Sequence, residues 1–277
     1  MLVGQLSPSR GNAFVAGFDT VEERRAVLSK LGIVPQFDVY YPELTVRQHL
    51  MLYAAMKGVK TSKQDSWARS VAFTVGLGSQ DLFHRQASAL SGGMRRRLSI
   101  AVALLSKPSC LFLDEPTTGL DPEMKRSIWN IIERMRQDRC VILTTHAMDE
   151  AEALCTRIGI MAQGSLKCIG SQKELRERYG STYELTFTVP KGTDKANSAL
   201  HKFLLKRCPS TATISSFGNT RVFTVNKSDI DLADLIEMII EAQSKSLHTE
   251  WGVTNTSLDE VFIAITSESE GVAAGEL

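Results

Sequence analysis

The sequence predicts an α/β fold with a helix-covered parallel sheet, followed by a smaller α+β module. Two short apolar runs, 110–113 and 141–143, both end in polar residues, and a helical segment at 122–136 separates them. Strands that alternate with helices are typical of parallel sheets, which bind ligands at the carboxyl ends of their strands. From residue 183 to residue 189 the pattern is strictly apolar-polar, which indicates a half-buried strand in a separate sheet.

Capping residues and helical periodicity predict the elements that precede the first apolar run. The predicted elements are a short strand or hairpin near 12–17 and helices at 21–31, 45–57, 65–75 and 91–106. Gly32 stands where a glycine would end the first of these helices, and Ser91 stands where a serine would cap the last. Residues 40–89 are therefore predicted to form a helical insert within the α/β domain.

The second module is predicted from the change in sequence pattern after Tyr179-Gly180. Its predicted elements are a strand at 183–189, a helix near 199–205, a strand at 222–224 and a helix at 232–240. This mixture indicates a small α+β unit with its own core. We therefore expect an α/β domain at 1–180 and a second, α+β domain at 181–277.

Composition excludes several function classes. The 32 basic and 31 acidic residues leave a formal charge of +1, so overall charge favours neither nucleic acid nor an anionic membrane. The five cysteines are scattered and lack metal-site spacing, so we expect reduced thiols rather than disulfides or zinc. No apolar run approaches the roughly 18 to 20 residues of a membrane span, and we expect the chain itself to be cytosolic.

Residues 90–94, with the sequence LSGGM, place a serine and two glycines at the predicted start of a helix. The first backbone N–H groups of a helix have no intrahelical partner and attract anions, and glycine allows a phosphate to approach closely. Taken alone, the same residues also fit a simple capped turn.

Asp114 and Glu115 follow a wholly apolar strand, where two acids are costly unless they have partners. Such a pair suits phosphoryl transfer, because one carboxylate can hold the Mg²⁺ shell while its neighbour orients or deprotonates the attacking water. The sequence therefore favours a catalytic site at the end of this strand over a purely structural role.

Three segments in this order resemble an ABC ATPase. LSGGM at 90–94 is similar to its signature motif, LFLDEPTTGLDP at 111–122 to its Walker B strand and D-loop, and TTHAMDEAE at 144–152 to its switch-histidine segment. GIVPQ at 32–36 resembles the Q-loop of the same family. The resemblance implies a P-loop NTPase core with a helical subdomain.

Within that family the chain resembles the A subfamily, large transporters often associated with lipids. Residues 146–152 and 164–171 are similar to that subfamily, and TSLDEVF at 256–262 resembles the closing motif of the small regulatory domain that follows its ATPase. The resemblance extends over essentially the whole chain. It implies ATP-driven transmembrane transport, with lipid as the expected substrate class.

The resemblance implies a role for each residue that matches a family motif. Glu115 would be the catalytic base, Asp114 the Mg²⁺ carboxylate and Gln36 the sensor of Mg²⁺ and the attacking water. His146 would contact the γ-phosphate of ATP.

A second set of residues would serve an interface between two nucleotide-binding domains. Ser91, Gly92 and Gly93 would contact the γ-phosphate of ATP held by the opposite domain, and Asp121 would link the two domains. The implied partners are that second domain and the transmembrane domains of a transporter, at the cytosolic face of a membrane. Nucleic acid is not an expected partner, and the arginines at 95–97 are interpreted as a solvated helix face.

One family feature is missing from these 277 residues. No Gly-x-x-x-x-Gly-Lys-Ser/Thr occurs, although P-loop NTPases use such a loop and its lysine to hold the phosphates. In the family this loop lies just upstream of the segment that resembles residues 1–11. We therefore expect Met1 to be an internal methionine, the core to be incomplete at its amino end and the recorded chain to be inactive alone.

One alternative remains open at the sequence level, and a second is disfavoured. The chain could be a non-catalytic ABC subunit that offers its signature motif to a partner's ATP, and the frame upstream of the Met1 codon would discriminate this from truncation. A soluble ABC protein acting on ribosomes or chromosomes lacks support, because those carry two cassettes or long coiled coils.

Overall fold

The structure, a computed structural model, describes residues 1–189, 194–245 and 247–273. It divides into two compact units, Met1–Leu154 and Cys155–Leu277. None of the described helices is long and apolar enough to cross a membrane.

The strands of the first unit form a hairpin and a parallel sheet. They are β1 (Phe14–Val15), β2 (Phe18–Asp19), β3 (Leu31–Val34), β4 (Cys110–Asp114) and β5 (Cys140–Thr144). β1 and β2 pair antiparallel, whereas β3, β4 and β5 form a parallel sheet in that order. Leu111 and Leu113 of the central strand are buried, which explains its apolar run. The predicted parallel arrangement of the two apolar runs is confirmed.

Helices surround this sheet and build the insert between β3 and β4. They are α1 (Arg24–Lys30), α2 (Val46–Met56), α3 (Thr61–Thr74), α4 (Gln80–Phe83), a 3-10 turn (Ala87–Ala89), α5 (Gly92–Leu104), α6 (Pro122–Met135) and α7 (Met148–Leu154). α2 begins at a capping box in which the side chains of Thr45 and Gln48 each bond the other's backbone. Ser91 caps α5, as predicted, by accepting a hydrogen bond from the Met94 backbone.

The prediction that Gly32 ends a helix at 21–31 is wrong. α1 is shorter, and Gly32 lies inside β3. A Cβ at this position would meet the Ala103 carbonyl oxygen at 2.7 Å and the side chains of Leu111 and Pro108 at 2.9 Å. The glycine therefore allows α5 and the β3–β4 pair to approach closely, and it does not provide a left-handed cap.

The second unit contains a hairpin, a four-stranded antiparallel sheet and helices. Its elements are β6 (Ile158–Ala162), β7 (Ser165–Gly170), α8 (Gln172–Tyr179), β8 (Thr182–Thr188), α9 (Asp194–Arg207), β9 (Ala212–Phe217), β10 (Thr220–Asn226), α10 (Leu232–Ser244), β11 (Glu250–Asn255) and α11 (Leu258–Ala273). The sheet order is β11-β8-β10-β9. Leu185 and Phe187 are fully buried, so the predicted apolar face of β8 is confirmed.

The hairpin and α8 belong to the second compact unit because α11 packs against both α8 and β6. The division between the compact units lies at 154/155, whereas the change in sequence pattern after Tyr179-Gly180 predicts a domain boundary at 180/181. The four-stranded sheet begins after that predicted boundary and shares no strand with the parallel sheet. The division at 180/181 stays a prediction.

Candidate functional site

Residues that follow the carboxyl ends of β3, β4 and β5 meet at one edge of the parallel sheet. Gln36 follows β3, Asp114 ends β4 with Glu115 directly after it, and His146 follows β5. Since all three strands run in the same direction, their carboxyl ends lie at the same edge, where open α/β sheets bind ligands.

Glu115 is the centre of this group. The Gln36 amide donates to its Oε2 at 3.1 Å, and the Thr118 hydroxyl donates to the same oxygen at 2.9 Å. His146 Nδ1 lies 3.5 Å from the other carboxylate oxygen, with its own side chain 71% exposed. The structure thus brings three of the predicted site residues, Gln36, Glu115 and His146, into direct contact through one carboxylate.

The Glu115 backbone is in the left-handed region, with φ of 43°. For a residue other than glycine this conformation costs of order 1–3 kcal/mol and persists only where the surroundings hold it. The Glu115 N–H donates to both the carbonyl oxygen and the hydroxyl of Thr144, each at 3.1 Å. These bonds to β5 hold the carboxylate at the sheet edge.

Asp114 lies beside Glu115 and is exposed at the end of β4. Its Oδ1 accepts a hydrogen bond of 2.5 Å from the Thr144 hydroxyl, which itself accepts from the Glu115 N–H. One threonine on β5 therefore orients both neighbouring acids.

The donor set at this edge fits Mg²⁺. The described residues contain no cluster of three or more His, Cys, Asp and Glu side chains that could form a metal cage. Mg²⁺ is usually held by one or two carboxylates together with waters and substrate phosphates, and the exposed Asp114 carboxylate with the nearby Gln36 amide matches that pattern. These two side chains are the ones that would hold the ion.

The pKa of Glu115 is lowered from its ordinary value of 4.5. The largest cause is the hydrogen bond from Thr118, which stabilises the ionised form, while burial acts in the opposite direction. The charge of His146 and hydrogen bonds from His146 and Gln36 lower the pKa further. The carboxylate is therefore ionised at neutral pH.

The LSGGM segment forms the N-terminus of α5. Ser91 and Gly92 are exposed, and a Cβ at Gly92 would meet no atom within 4 Å. Gly93 is buried, and a Cβ there would lie 2.8 Å from the Met124 sulfur on α6. Within the described residues, the Ser91 side chain bonds the Met94 N–H and makes no hydrogen bond to Glu115. Packing against α6 therefore explains why residue 93 is a glycine, whereas no contact explains why residue 92 is a glycine.

The segment between β4 and α6 is held by hydrogen bonds at two of its residues, Thr117 and Asp121. Asp121 caps α6 by accepting a hydrogen bond of 2.9 Å from the Met124 N–H. The Thr117 hydroxyl donates to the buried carboxylate of Glu150 on α7 at 2.8 Å, and Trp129 Nε1 donates to the same oxygen at 3.1 Å. This anchor fixes the loop that connects Glu115 to Asp121.

The interpretation of residues 95–97 as a solvated helix face is wrong. Arg96 is only 4% exposed and pairs with the Asp38 carboxylate at 3.2 Å. Arg95 and Arg97 are partly buried and donate to the Tyr40 and Ser127 hydroxyls, respectively. The reason is that α5 packs against other elements of the first unit, among them β3 and α6, so the three arginines bond protein groups instead of facing only water.

Sequence reasoning overlooked three residues that shape the site, namely Thr118, Thr144 and Arg96. A signal for Thr144 was present, because a threonine that ends one parallel strand lies beside the acid that ends the next. Thr118 and Arg96 contact the site only because the fold places their loop and helix beside it. No periodic pattern in the sequence predicts such contacts.

The chain is similar to known ABC transporters. The family model described as ABC transporter matches residues 1–118. ABC transporter A family member 12 of Arabidopsis thaliana is 35% identical over 270 residues, covering 98% of this chain and 29% of that protein. Member 8 of the same family and organism is 35% identical over 274 residues, covering 97% of this chain and 30% of that protein.

Residues 1–118 match the ABC transporter family, and nearly the whole chain is similar to members of its A family. Its curated relatives are members of the A family, in agreement with the resemblance of residues 146–152 and 256–262 to that subfamily. The chain spans about three-tenths of the length of the relatives it matches.

Solved structures support the fold of this chain. An ATP-binding subunit of an ABC transporter superposes with a TM-score of 0.55 at 24% identity, covering 64% of this chain and 74% of that one. A dimeric ATP-binding cassette in a post-hydrolysis state, bound to ADP and Pi, gives a TM-score of 0.54 at 21% identity, covering 61% and 76%. The fold is that of an ABC ATPase, as predicted.

Proposed function

We propose that this chain is part of the nucleotide-binding domain of an A-subfamily transporter. The 277 residues alone are inactive, whereas the domain with a phosphate-binding loop hydrolyses ATP and couples hydrolysis to transmembrane movement of a lipid-like substrate. The observation that carries the proposal is the Glu115 carboxylate, held beside Asp114, Gln36 and His146 at the ligand-binding edge of a parallel sheet. The lipid element rests on the resemblance of residues 146–152 and 256–262 to the A subfamily, whose transporters are often associated with lipids.

In this proposal each side chain at the edge takes part in hydrolysis. Glu115 accepts a proton from the attacking water, and Gln36, bonded to the same carboxylate, orients that water. His146, whose Nδ1 lies 3.5 Å from the Glu115 carboxylate, would contact the γ-phosphate. Mg²⁺, held by Asp114 and Gln36, would neutralise charge on the phosphates.

The strained backbone of Glu115 favours catalysis over the alternative of a subunit that only lends its signature motif. Two hydrogen bonds from the Glu115 N–H to Thr144 maintain a left-handed conformation that an acid with no task would not need. A subunit that contributes only residues 91–93 to a partner's ATP gains nothing from this arrangement.

The proposed partners are a second nucleotide-binding domain and transmembrane domains, at the cytosolic face of a membrane within an integral membrane transporter. Exposed Ser91 and Gly92, at the N-terminus of α5, offer free N–H groups and open space to the γ-phosphate of ATP on the second domain. Gly93 is buried against Met124 of α6, and this contact holds the start of α5 close to α6. Asp121 caps the start of the same helix, α6.

The test compares two purified polypeptides: these 277 residues, and a loop-extended protein in which a strand and a Gly-x-x-x-x-Gly-Lys-Thr loop of ABC pattern precede Met1. Losing one anion-site donor costs about 10² to 10³ in rate, and the loop supplies several donors together. We therefore expect steady-state phosphate release from the loop-extended protein and none above background from the 277 residues alone. Equal rates from the two would contradict the proposal. A loop-extended protein that binds ATP without hydrolysing it would favour the signature-only alternative.

The loop-extended protein should show an acid limb set by Glu115. Because the Thr118 hydrogen bond is the largest cause of the lowered Glu115 pKa, Thr118→Val should raise that pKa toward its ordinary value. The base is lost when it is protonated, so the fall of kcat/KM on the acid side should move to higher pH in the variant. The measurement is kcat/KM against pH, with Thr74→Val, an exposed threonine on α3, as the matched control. An acid limb that stays in place would show that Thr118 does not tune the base.

A further inference from the structure

Arg96 is buried on α5 and meets two separate segments that both lead to the proposed site. One segment, 35–38, follows β3 and carries Gln36, and the other, 114–116, ends β4 and carries Glu115. With 4% exposure, the guanidinium has almost no contact with water and must be satisfied by protein.

The guanidinium makes six hydrogen-bond contacts, three to each segment, and one of the two Nη1 N–H groups is shared between two acceptors. Nη1 donates to the Pro35 and Gln36 carbonyl oxygens at 2.5 and 3.3 Å and to Asp38 Oδ1 at 3.2 Å. Nη2 donates to the Asp114 and Glu115 carbonyl oxygens at 2.7 and 3.1 Å. Nε donates to the Pro116 carbonyl oxygen at 2.8 Å. Every nitrogen of the side chain is therefore used, and one planar group spans both segments.

Asp38 completes the arrangement by supplying the negative charge. Its Oδ1 also accepts a hydrogen bond of 2.7 Å from the Ser99 hydroxyl, one turn along α5 from Arg96. The charge pair is thus fixed to the same helix that carries the guanidinium. An ion pair this buried requires such extra hydrogen bonds to be tolerated.

From this geometry we propose that Arg96 is a positioning residue for ATP hydrolysis. It is a clamp that fixes the backbone of Gln36 relative to the backbone of Glu115. The inference rests on the proposed function. Gln36 and Glu115 are joined through their side chains at the sheet edge, and Arg96 joins the same two residues through their carbonyl oxygens. It also bonds the carbonyl of the strained Glu115, so it helps to maintain the left-handed conformation that orients the carboxylate.

Lysine cannot replace Arg96 in this role. A lysine retains the charge near Asp38, but its single nitrogen cannot present donors to both segments, whereas the planar fork of arginine can. Arg96→Lys therefore removes the hydrogen bonds that link segments 35–38 and 114–116, and it keeps the positive charge. Arg97→Lys is the matched control, because Arg97 lies next to it on α5 and donates to Ser127 on α6, away from both segments.

The first measurement uses the 277-residue chain and no nucleotide. Arg96→Lys should accelerate amide hydrogen exchange about tenfold in peptides covering both 35–38 and 114–118, because both lose hydrogen-bonded support. Asp38→Asn should accelerate exchange in both segments as well, although the Asp38 carboxylate contacts only Arg96 and Ser99 among the described residues. Arg97→Lys should change neither segment. Unchanged exchange at 114–118 in both Arg96→Lys and Asp38→Asn would overturn the clamp, even if Arg96→Lys proves unstable.

The second measurement uses the loop-extended protein. A displacement of ~1 Å in a catalytic arrangement costs on the order of a hundredfold in rate, so Arg96→Lys should lower kcat by about that factor and leave the KM for ATP nearly unchanged. Combined with Gln36→Ala, the loss should be smaller than the product of the two single losses, since Arg96 acts through Gln36 and Glu115. Multiplicative losses, or a rise in KM alone, would overturn the positioning role. If the loop-extended protein hydrolyses no ATP, the proposed function fails and the exchange measurement still decides whether Arg96 is a clamp.

Discussion

Glu115→Gln in the loop-extended protein should lower steady-state ATP hydrolysis about a thousandfold, within the range of 10² to 10⁴ that a general base contributes. The substitution keeps the size of the side chain and retains an oxygen that can accept from Thr118 and Gln36. It removes the negative charge and the ability to take a proton. ATP binding should be unchanged, because Asp114, and not Glu115, is the proposed Mg²⁺ carboxylate.

Two measurements check this result: phosphate release under saturating ATP, and equilibrium binding of ATP with Mg²⁺. Glu133→Gln is the matched control, because Glu133 is an exposed carboxylate on α6 that pairs with Arg136 outside the site. The control should retain full activity. A Glu115→Gln variant with more than about a tenth of the original rate would remove Glu115 from the role of base, since general bases contribute at least about 10².

Gly32→Ala should destabilise the first unit by about 2–3 kcal/mol, at the upper end of the usual cost of overpacking. The new Cβ would meet the Ala103 carbonyl oxygen at 2.7 Å, and a backbone atom of α5 cannot move away as a flexible side chain can. The Leu111 and Pro108 side chains would each lie 2.9 Å from the new Cβ, so it cannot avoid the carbonyl oxygen by shifting toward them.

Thermal unfolding of the 277-residue chain measures this effect. For a unit of this size, a loss of 2–3 kcal/mol corresponds to a midpoint lower by about 4–12 °C. Gly92→Ala is the control, because a Cβ at Gly92 meets no atom within 4 Å, and its midpoint should stay close to that of the parent. Equal midpoints for the two variants would show that β3 and α5 do not approach as closely as described.

The helices and strands were largely predictable because their signals are local. Ser91 caps α5 and Asp121 caps α6, where Pro122 occupies the first turn. Alternation over 183–189 predicted the buried face of β8, on which Leu185 lies. Such signals depend on residues a few positions apart, so they can be interpreted without knowing the fold.

The errors arose where a residue's neighbours come from distant parts of the chain. Gly32 follows a helical pattern, and only its contact with Ala103 and Leu111 shows that it belongs to a strand. Arg96 stands in a run of arginines that looks solvated, and its partners are 58 positions away at Asp38 and 18 away at Asp114. Local patterns contain no information about such contacts.

The sequence by itself determined the family and the order of the chemical groups, because LSGGM, LFLDEP and TTH each combine a strand end or a helix start with a reactive residue type. Only the tertiary structure decided how those groups are held. The parallel register brings Thr144 beside Asp114, and the packing of α5 on β3 places the Arg96 guanidinium beneath Gln36 and Glu115. The physical reason is that side-chain chemistry is a property of single residues, whereas orientation depends on hydrogen bonds between segments that become neighbours only on folding.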